Sequence, residues 1–263
     1  MRDPIVEALQ YALKVDEASP HDFASAAPTE LRLGLFDCRL VDGGLSATPT
    51  AFFADEESAR AALEPYLRAW EAHAEIVDPN DLRFEFSFVR SEVIDRDPPP
   101  PEVLPDGTSA ISMSGGAVSR MSASGSFEIG HSRYPDAPPE GFVVSPAVES
   151  LRARLRSVRT HPWTLTATAY YAKTALEDLA GGRPHAAEHF AISTNVLDTL
   201  GRLASKFDPA HGRKFNEKAD PLTSAELEWL RQALRAVIVR VGEVQGGATG
   251  LDQITLAALP PLP

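Results

Sequence analysis

Hydrophobic and polar positions follow two different periods along this chain, and the change falls near residue 145. In the first part, residues 31–41 alternate at Leu31, Leu33 and Leu35, then shift phase to Phe36, Cys38 and Leu40, which predicts a strand with a bulge near Leu35. Residues 82–89 alternate without interruption, with Leu82, Phe84, Phe86 and Phe88 inward and Arg83, Glu85 and Ser87 outward. That is the pattern of a half-buried antiparallel strand. Ile111, Met113, Phe127 and Ile129 predict a further hairpin within a Ser- and Gly-rich stretch. Two helical patterns interrupt this region. Asp3 and Pro4 are placed to open a short helix with Ile5, Leu9, Ala12 and Leu13 on one face. Asp55 caps a longer one over residues 55–76, whose stripe is Ala59, Ala62, Leu63, Tyr66, Leu67 and Trp70, and Pro65 is expected to kink or split it.

Beyond the proline-rich segment at 134–146 the period becomes helical. Ser145-Pro146 opens a helix reaching about Arg159, and Leu165, Ala169, Ala172, Leu176 and Leu179 mark a second, ending at Gly181-Gly182. Two short helices follow, near 184–190 and 194–205. Thr223-Ser224-Ala225-Glu226 is a capping box in front of Leu227, Leu230, Leu234, Val237, Ile238 and Val241. The expected architecture is α+β: a mixed N-terminal region at 1–144 with a small, mainly antiparallel sheet, an all-helical domain at 145–242, and a surface tail at 243–263.

Charge sharpens the division. The chain has 263 residues and a net charge of −12. Residues 1–144 hold 25 acidic against 11 basic side chains, whereas residues 145–263 hold 12 against 14. An acidic first part repels nucleic acid, so only the second part is a candidate for phosphate contact. A single cysteine, Cys38, excludes an internal disulfide framework and a multi-cysteine zinc site, and its strand pattern marks it as a small buried apolar residue. The first residues carry no basic stretch leading into an apolar one, and the longest apolar candidate, residues 236–241, is short and contains Arg240. These features predict a cytoplasmic chain with no membrane span.

Three motifs carry candidate chemistry. Residues 184–203 (PHAAEHFAISTNVLDTLGRL) resemble a helix-turn-helix: a small residue in the first helix, Ile192 before a capping Ser193, then Val196, Leu197, Leu200 and Leu203 at helical spacing. The pattern departs at Gly201, where an apolar residue is usual, and at Asp198, which repels phosphate. Thr194, Asn195 and Arg202 would face outward, and Lys206, Arg213 and Lys214 add positive charge nearby, so these six are the expected nucleic-acid-binding residues. A plain helical hairpin with a solvated basic face is the competing reading.

Within the same stretch, His185-Ala186-Ala187-Glu188-His189 resembles the inverted zinc motif of the inverzincin peptidases. That resemblance implies Zn²⁺ held by His185 and His189, with Glu188 as general base. A third ligand would have to come from Glu217, Glu226, Glu228 or Glu243, and Pro184 leaves only about two turns of helix. Arg156 and His161 stand at the R-x4-H spacing that resembles the HEPN-type ribonucleases, where the histidine does acid–base work and the arginine steadies phosphate charge. His161 precedes Pro162, however, which places it at a helix boundary.

The VLDTLGRL string at 196–203 and the run from Val93 to Pro100 resemble a family of bacterial proteins of unknown function, which implies a bacterial source and no activity. The expectation is therefore a non-catalytic binding or regulatory protein without a cofactor, whose helical domain contacts a protein or nucleic-acid partner. A ribonuclease using Arg156 and His161 is one alternative. A zinc-dependent hydrolase using His185, Glu188 and His189 is the other.

Overall fold

The computed structural model describes residues 3–16, 21–23, 26–78, 82–97, 129–130, 133–206 and 221–262. The fold is α+β, with an antiparallel sheet in the N-terminal part and helices in the C-terminal half. Contacts divide the chain into two compact units. The first comprises Met1–Leu13, Pro20–Ala62 and Ser87–Tyr134, and the second Lys14–Ser19, Leu63–Phe86 and Pro135–Pro263.

The sheet uses β1 (Pro4–Val15), β3 (Thr29–Leu33), β4 (Phe36–Val41), β5 (Gly44–Pro49) and β6 (Phe84–Asp95), in the order β3-β4-β5-β1-β6. A separate two-residue strand, β2 (His21–Asp22), pairs in parallel with β7 (Ile129–Gly130). The segment expected to open with a short helix is strand β1 instead. Its burial shows why: Val6 and Ala8 are buried on one alternation and Leu9 and Tyr11 on the next, so apolar side chains leave both faces of a central strand. Apolar residues on both faces imitate helical spacing when only their positions are counted.

The expected single strand with a bulge at 31–41 is likewise a hairpin of two strands. Leu33 pairs with Phe36, leaving Gly34 and Leu35 as a two-residue turn with Gly34 at φ +56°. Chain reversal shifts the alternation by one residue, as a bulge would. The next hairpin pairs Val41 with Gly44 around Asp42 and Gly43, at φ +48° and +71°. Two positive φ values in succession suit the primed turns that Asp-Gly favours. The Tyr134 hydroxyl accepts a hydrogen bond from Gly43 N at 2.9 Å.

Helix α1 (Glu56–Val77) begins where Asp55 accepts from Ser58 N at 2.7 Å and from the Ser58 hydroxyl at 2.9 Å. It is not split at Pro65, contrary to one of the two expected outcomes, and Pro65 is itself exposed. The expected hairpin at 109–129 lies outside the described residues, apart from its end at Ile129.

The second unit is organised by helices. They are α2 (Pro146–Thr160), α3 (Leu165–Leu179), α4 (Arg183–His189), α5 (Thr194–Ser205) and α6 (Ser224–Gln245). The predicted caps form: Ser145 accepts from Val148 N, Ser193 from Val196 N, and Thr223 and Glu226 make the reciprocal capping box. Helix α3 packs on α2, α4, α5 and α6, and α2 and α5 also pack on α6. Their shared core holds Leu151, Leu165, Ala172, Leu176, Phe190, Leu200, Trp229, Leu234, Ile238 and Val241, all fully buried. Residues 243–245 complete α6. Thereafter the chain turns back, with Ile254 N donating to Ala191 O and Ser193 N donating to Ile254 O, both at 2.9 Å.

Gly246 caps α6 against the segment before α2. A Cβ at Gly246 would lie 1.5 Å from the Gly141 carbonyl oxygen, a backbone atom that no side-chain rotation can move away. Gly246→Ala is therefore expected to destabilise the fold by about 3 kcal/mol or more, measured by chemical denaturation. A loss below about 1 kcal/mol would show that this approach yields easily.

Candidate functional site

The exposed faces of α4 and α5 carry His185, Glu188 and His189 on the first helix and Thr194, Asn195 and Arg202 on the second. Helix α5 has a sharply sided surface: Val196, Leu197, Leu200, Leu203 and Ala204 are buried, while Thr194, Asn195, Asp198 and Arg202 are exposed. The turn between the helices is fixed by Ala191, which adopts φ +47°, and by Phe190 and Ile192, both fully buried. Such anchors hold the exposed face in one orientation.

Charge on that face is mixed. Asp198 pairs with Arg183 at 3.6 Å, and Arg183 also approaches Glu177 at 3.6 Å. Lys206 donates to both carboxylate oxygens of Glu226, at 3.0 and 2.8 Å, and Glu226 is buried. Lys206 thus balances an internal carboxylate that also caps α6, rather than projecting as a phosphate ligand. Arg202 makes no ion pair among the described residues. Arg213 and Lys214 lie outside the described residues.

His185, Glu188 and His189 are all exposed on α4, a seven-residue helix. The His189 ring stands edge-on to Phe190 at 4.7 Å between centroids. Among the described residues no group of three or more His, Cys, Asp or Glu side chains is arranged to hold a metal ion.

Arg156 and His161 have different surroundings. Arg156 forms a two-pronged ion pair with Glu75 of α1, its Nε and Nη2 donating at 2.7 and 2.8 Å. Arg152 and Arg159, on the same side of α2, approach the same carboxylate at 3.4 and 3.8 Å, and Arg83 reaches 4.0 Å. The spacing of 152, 156 and 159 puts three guanidinium groups on one helix face, and all three approach the buried Glu75, Arg152 pairing with Glu149 as well at 2.9 Å. Glu75 is not among the residues the motifs mark; its one signal in the sequence is an acid in the last turns of α1 among Ala72, Ala74 and Ile76, which are fully buried. His161 caps the end of α2, exposed, with Nδ1 2.8 Å from the Thr160 hydroxyl and its ring edge-on to the exposed Trp163.

Burial pushes the Glu75 carboxyl up, but the hydrogen bond from Arg156 and the charges of Arg156, Arg152 and Arg159 outweigh it and hold the group below the ordinary glutamate range. Burial also lowers the His73 imidazole, whose Nδ1 is enclosed with no hydrogen-bond partner among the described residues and whose ring lies against Phe142. Cys38 is buried in β4, and desolvation, with Asp37 beside it, pushes its thiol up to about 12. A thiol so high stays protonated and is a poor nucleophile near neutral pH. Asp95 accepts from Asp3 N at 3.0 Å and Arg96 pairs with Asp3, so the acidic run before the prolines ties the ends of β1 and β6.

Among the described residues, no helix is long and apolar enough to cross a membrane. The chain matches no protein-family model, no curated protein and no solved structure.

Glu75→Gln tests the ion-pair cluster. Removing the acid takes away the carboxylate that Arg156 holds with two hydrogen bonds and that Arg152 and Arg159 approach, so the expected loss is about 2–3 kcal/mol at neutral pH, below the range for fully buried pairs because the Arg156 side chain is 40% exposed. The pH dependence has a fixed sign. A carboxylate lowered in the folded state stabilises above its unfolded value, about 4.3, and that stabilisation disappears as pH falls through the folded value. Denaturation between pH 3 and 7 should therefore show a shallower acid-side loss for Glu75→Gln than for the parent. Parallel curves would contradict the assignment.

Proposed function

We propose that this is a non-catalytic binding or regulatory protein that engages a protein partner through the exposed face of α5. The observation that carries the reading is the division of that helix: five buried apolar residues fix it to α3 and α6, and Thr194, Asn195, Asp198 and Arg202 stand outside with both signs of charge. A rigid, polar, mixed-charge surface suits a protein rim, where specificity comes from complementary charges and hydrogen bonds. Nucleic acid is less well matched, because phosphate binding scales with the number of uncompensated cations. Lys206 is committed to Glu226, and Asp198 sits in the middle of the face.

The charge on Arg156 likewise serves Glu75, which favours a structural role over attack on RNA. Exposed imidazoles at His185 and His189 extend the polar edge next to α5.

A photo-crosslinking side chain installed at Asn195 or Arg202 of the full chain, in its native cells, is expected to give a discrete protein adduct, while the same group at Glu57 gives none. Mobility-shift titrations with duplex DNA and with RNA should show no salt-dependent binding even at low ionic strength. Absence of adducts from both α5 positions would overturn the reading. A salt-dependent shift abolished by Arg202→Glu would transfer the face to nucleic acid.

A further inference from the structure

A cleft of about 610 Å³ runs along α6 beside the chain segment that turns back over it. Its walls are aliphatic, formed by Val77, Ala236, Val239, Ile254 and Leu259. Two of its charged residues already have partners. Arg240 donates from Nε to Glu243 at 2.9 Å and from its terminal nitrogens to the carbonyls of Phe190, Ala191 and Asp252. Gln232, also on the wall, donates to Glu228 at 2.9 Å.

Arg235 differs from these. It lines the cleft, makes no hydrogen bond or ion pair among the described residues, and has its Nε shut away from solvent without an acceptor. A buried donor left unmade is unfavourable, and an uncompensated guanidinium beside an aliphatic wall is more so. Among the described residues the cleft therefore combines apolar surface with one positive charge that no acid answers.

We infer that this cleft binds a small amphipathic monocarboxylate, with its hydrocarbon body along Val239, Ile254 and Leu259 and its carboxylate on the Arg235 guanidinium. A planar guanidinium fork matches the two oxygens of a carboxylate. With Glu243 answering Arg240, a single surplus charge balances a monoanion rather than a doubly charged phosphate monoester. The volume lies within the range of small-molecule sites, and an apolar lining with one fixed polar anchor is their usual composition. This site is separate from the exposed face of α5, so either can fail without the other.

Calorimetric titration of the full chain with sodium decanoate, below its micelle concentration, is the test, with 1-decanol and decyl phosphate as comparisons. Decanoate should bind, and 1-decanol should bind at least about tenfold more weakly, because a neutral headgroup leaves Arg235 unanswered. Arg235→Gln, checked by circular dichroism, should weaken decanoate about tenfold or more and leave 1-decanol unchanged. Ala258→Trp, at the exposed rim, should weaken both ligands by obstructing the cleft, and serves as the second variant if Arg235→Gln loses its fold. No binding of decanoate, equal affinity for decanoate and 1-decanol, or wild-type affinity in either variant would overturn the inference. Tighter binding of decyl phosphate than of decanoate would overturn the choice of carboxylate.

Discussion

Everything in the second unit depends on covering α6. Ten of its residues are buried, including Trp229, Leu230, Leu234, Val237, Ile238 and Val241 without measurable exposure. Each large apolar side chain withdrawn from water contributes about 1.5–3 kcal/mol, so a helix with this sequence is stable only when neighbours enclose it. Helices α2, α3 and α5 supply much of that cover. The same enclosure forces a solution for Arg240, a charged residue at 8% exposure in the middle of an apolar run. Its guanidinium satisfies itself on Glu243 and on three carbonyl groups, those of Phe190, Ala191 and Asp252. Two of those carbonyls belong to the turn between α4 and α5, and the third to the segment following α6. One buried charge thereby fixes the turn and the returning chain to the central helix.

The proposed binding surfaces follow from this arrangement. With its apolar side committed to the core, α5 has only its polar side to offer. The returning chain closes one wall of the aliphatic cleft, where Arg235 Nε has no acceptor among the described residues. Several cations that the sequence offers for phosphate are engaged internally: Arg152, Arg156 and Arg159 converge on Glu75, and Lys206 answers Glu226. Positive charge in a sequence window measures composition. Its availability depends on acids that are distant in the chain, 81 residues away for Arg156.

What the amino-acid sequence disclosed follows the same logic. Helices α2, α5 and α6 were legible because each combines a local cap, at Ser145, Ser193 and Thr223, with apolar residues at helical spacing, and α3 was legible by its apolar spacing alone. The antiparallel strand around Phe84 was legible by its alternation. The N-terminal strand was not, because β1 buries side chains in both phases and its count of apolar positions fits a helix equally well. The hairpin at Gly34 was read as a bulge because both features shift alternation by one residue. The Asp42-Gly43 turn, by contrast, carries a local signal, the Asp-Gly pair that primed turns favour. Long-range pairings such as Glu75 with Arg156 have no local signature, so the structural use of Arg156 emerged only from the fold. The polar face of α5 was read from spacing alone, and its residues are exposed.

Native-state hydrogen exchange of the full chain is the most direct measurement of the dependence on α6. Amides from Leu230 to Val241 should exchange last, all with one common opening free energy equal to that of unfolding the helical unit, while those of α4 exchange through smaller local openings. Exchange along α6 as fast as along α4 would contradict the account, because the helix that anchors both proposed surfaces would then be a peripheral one.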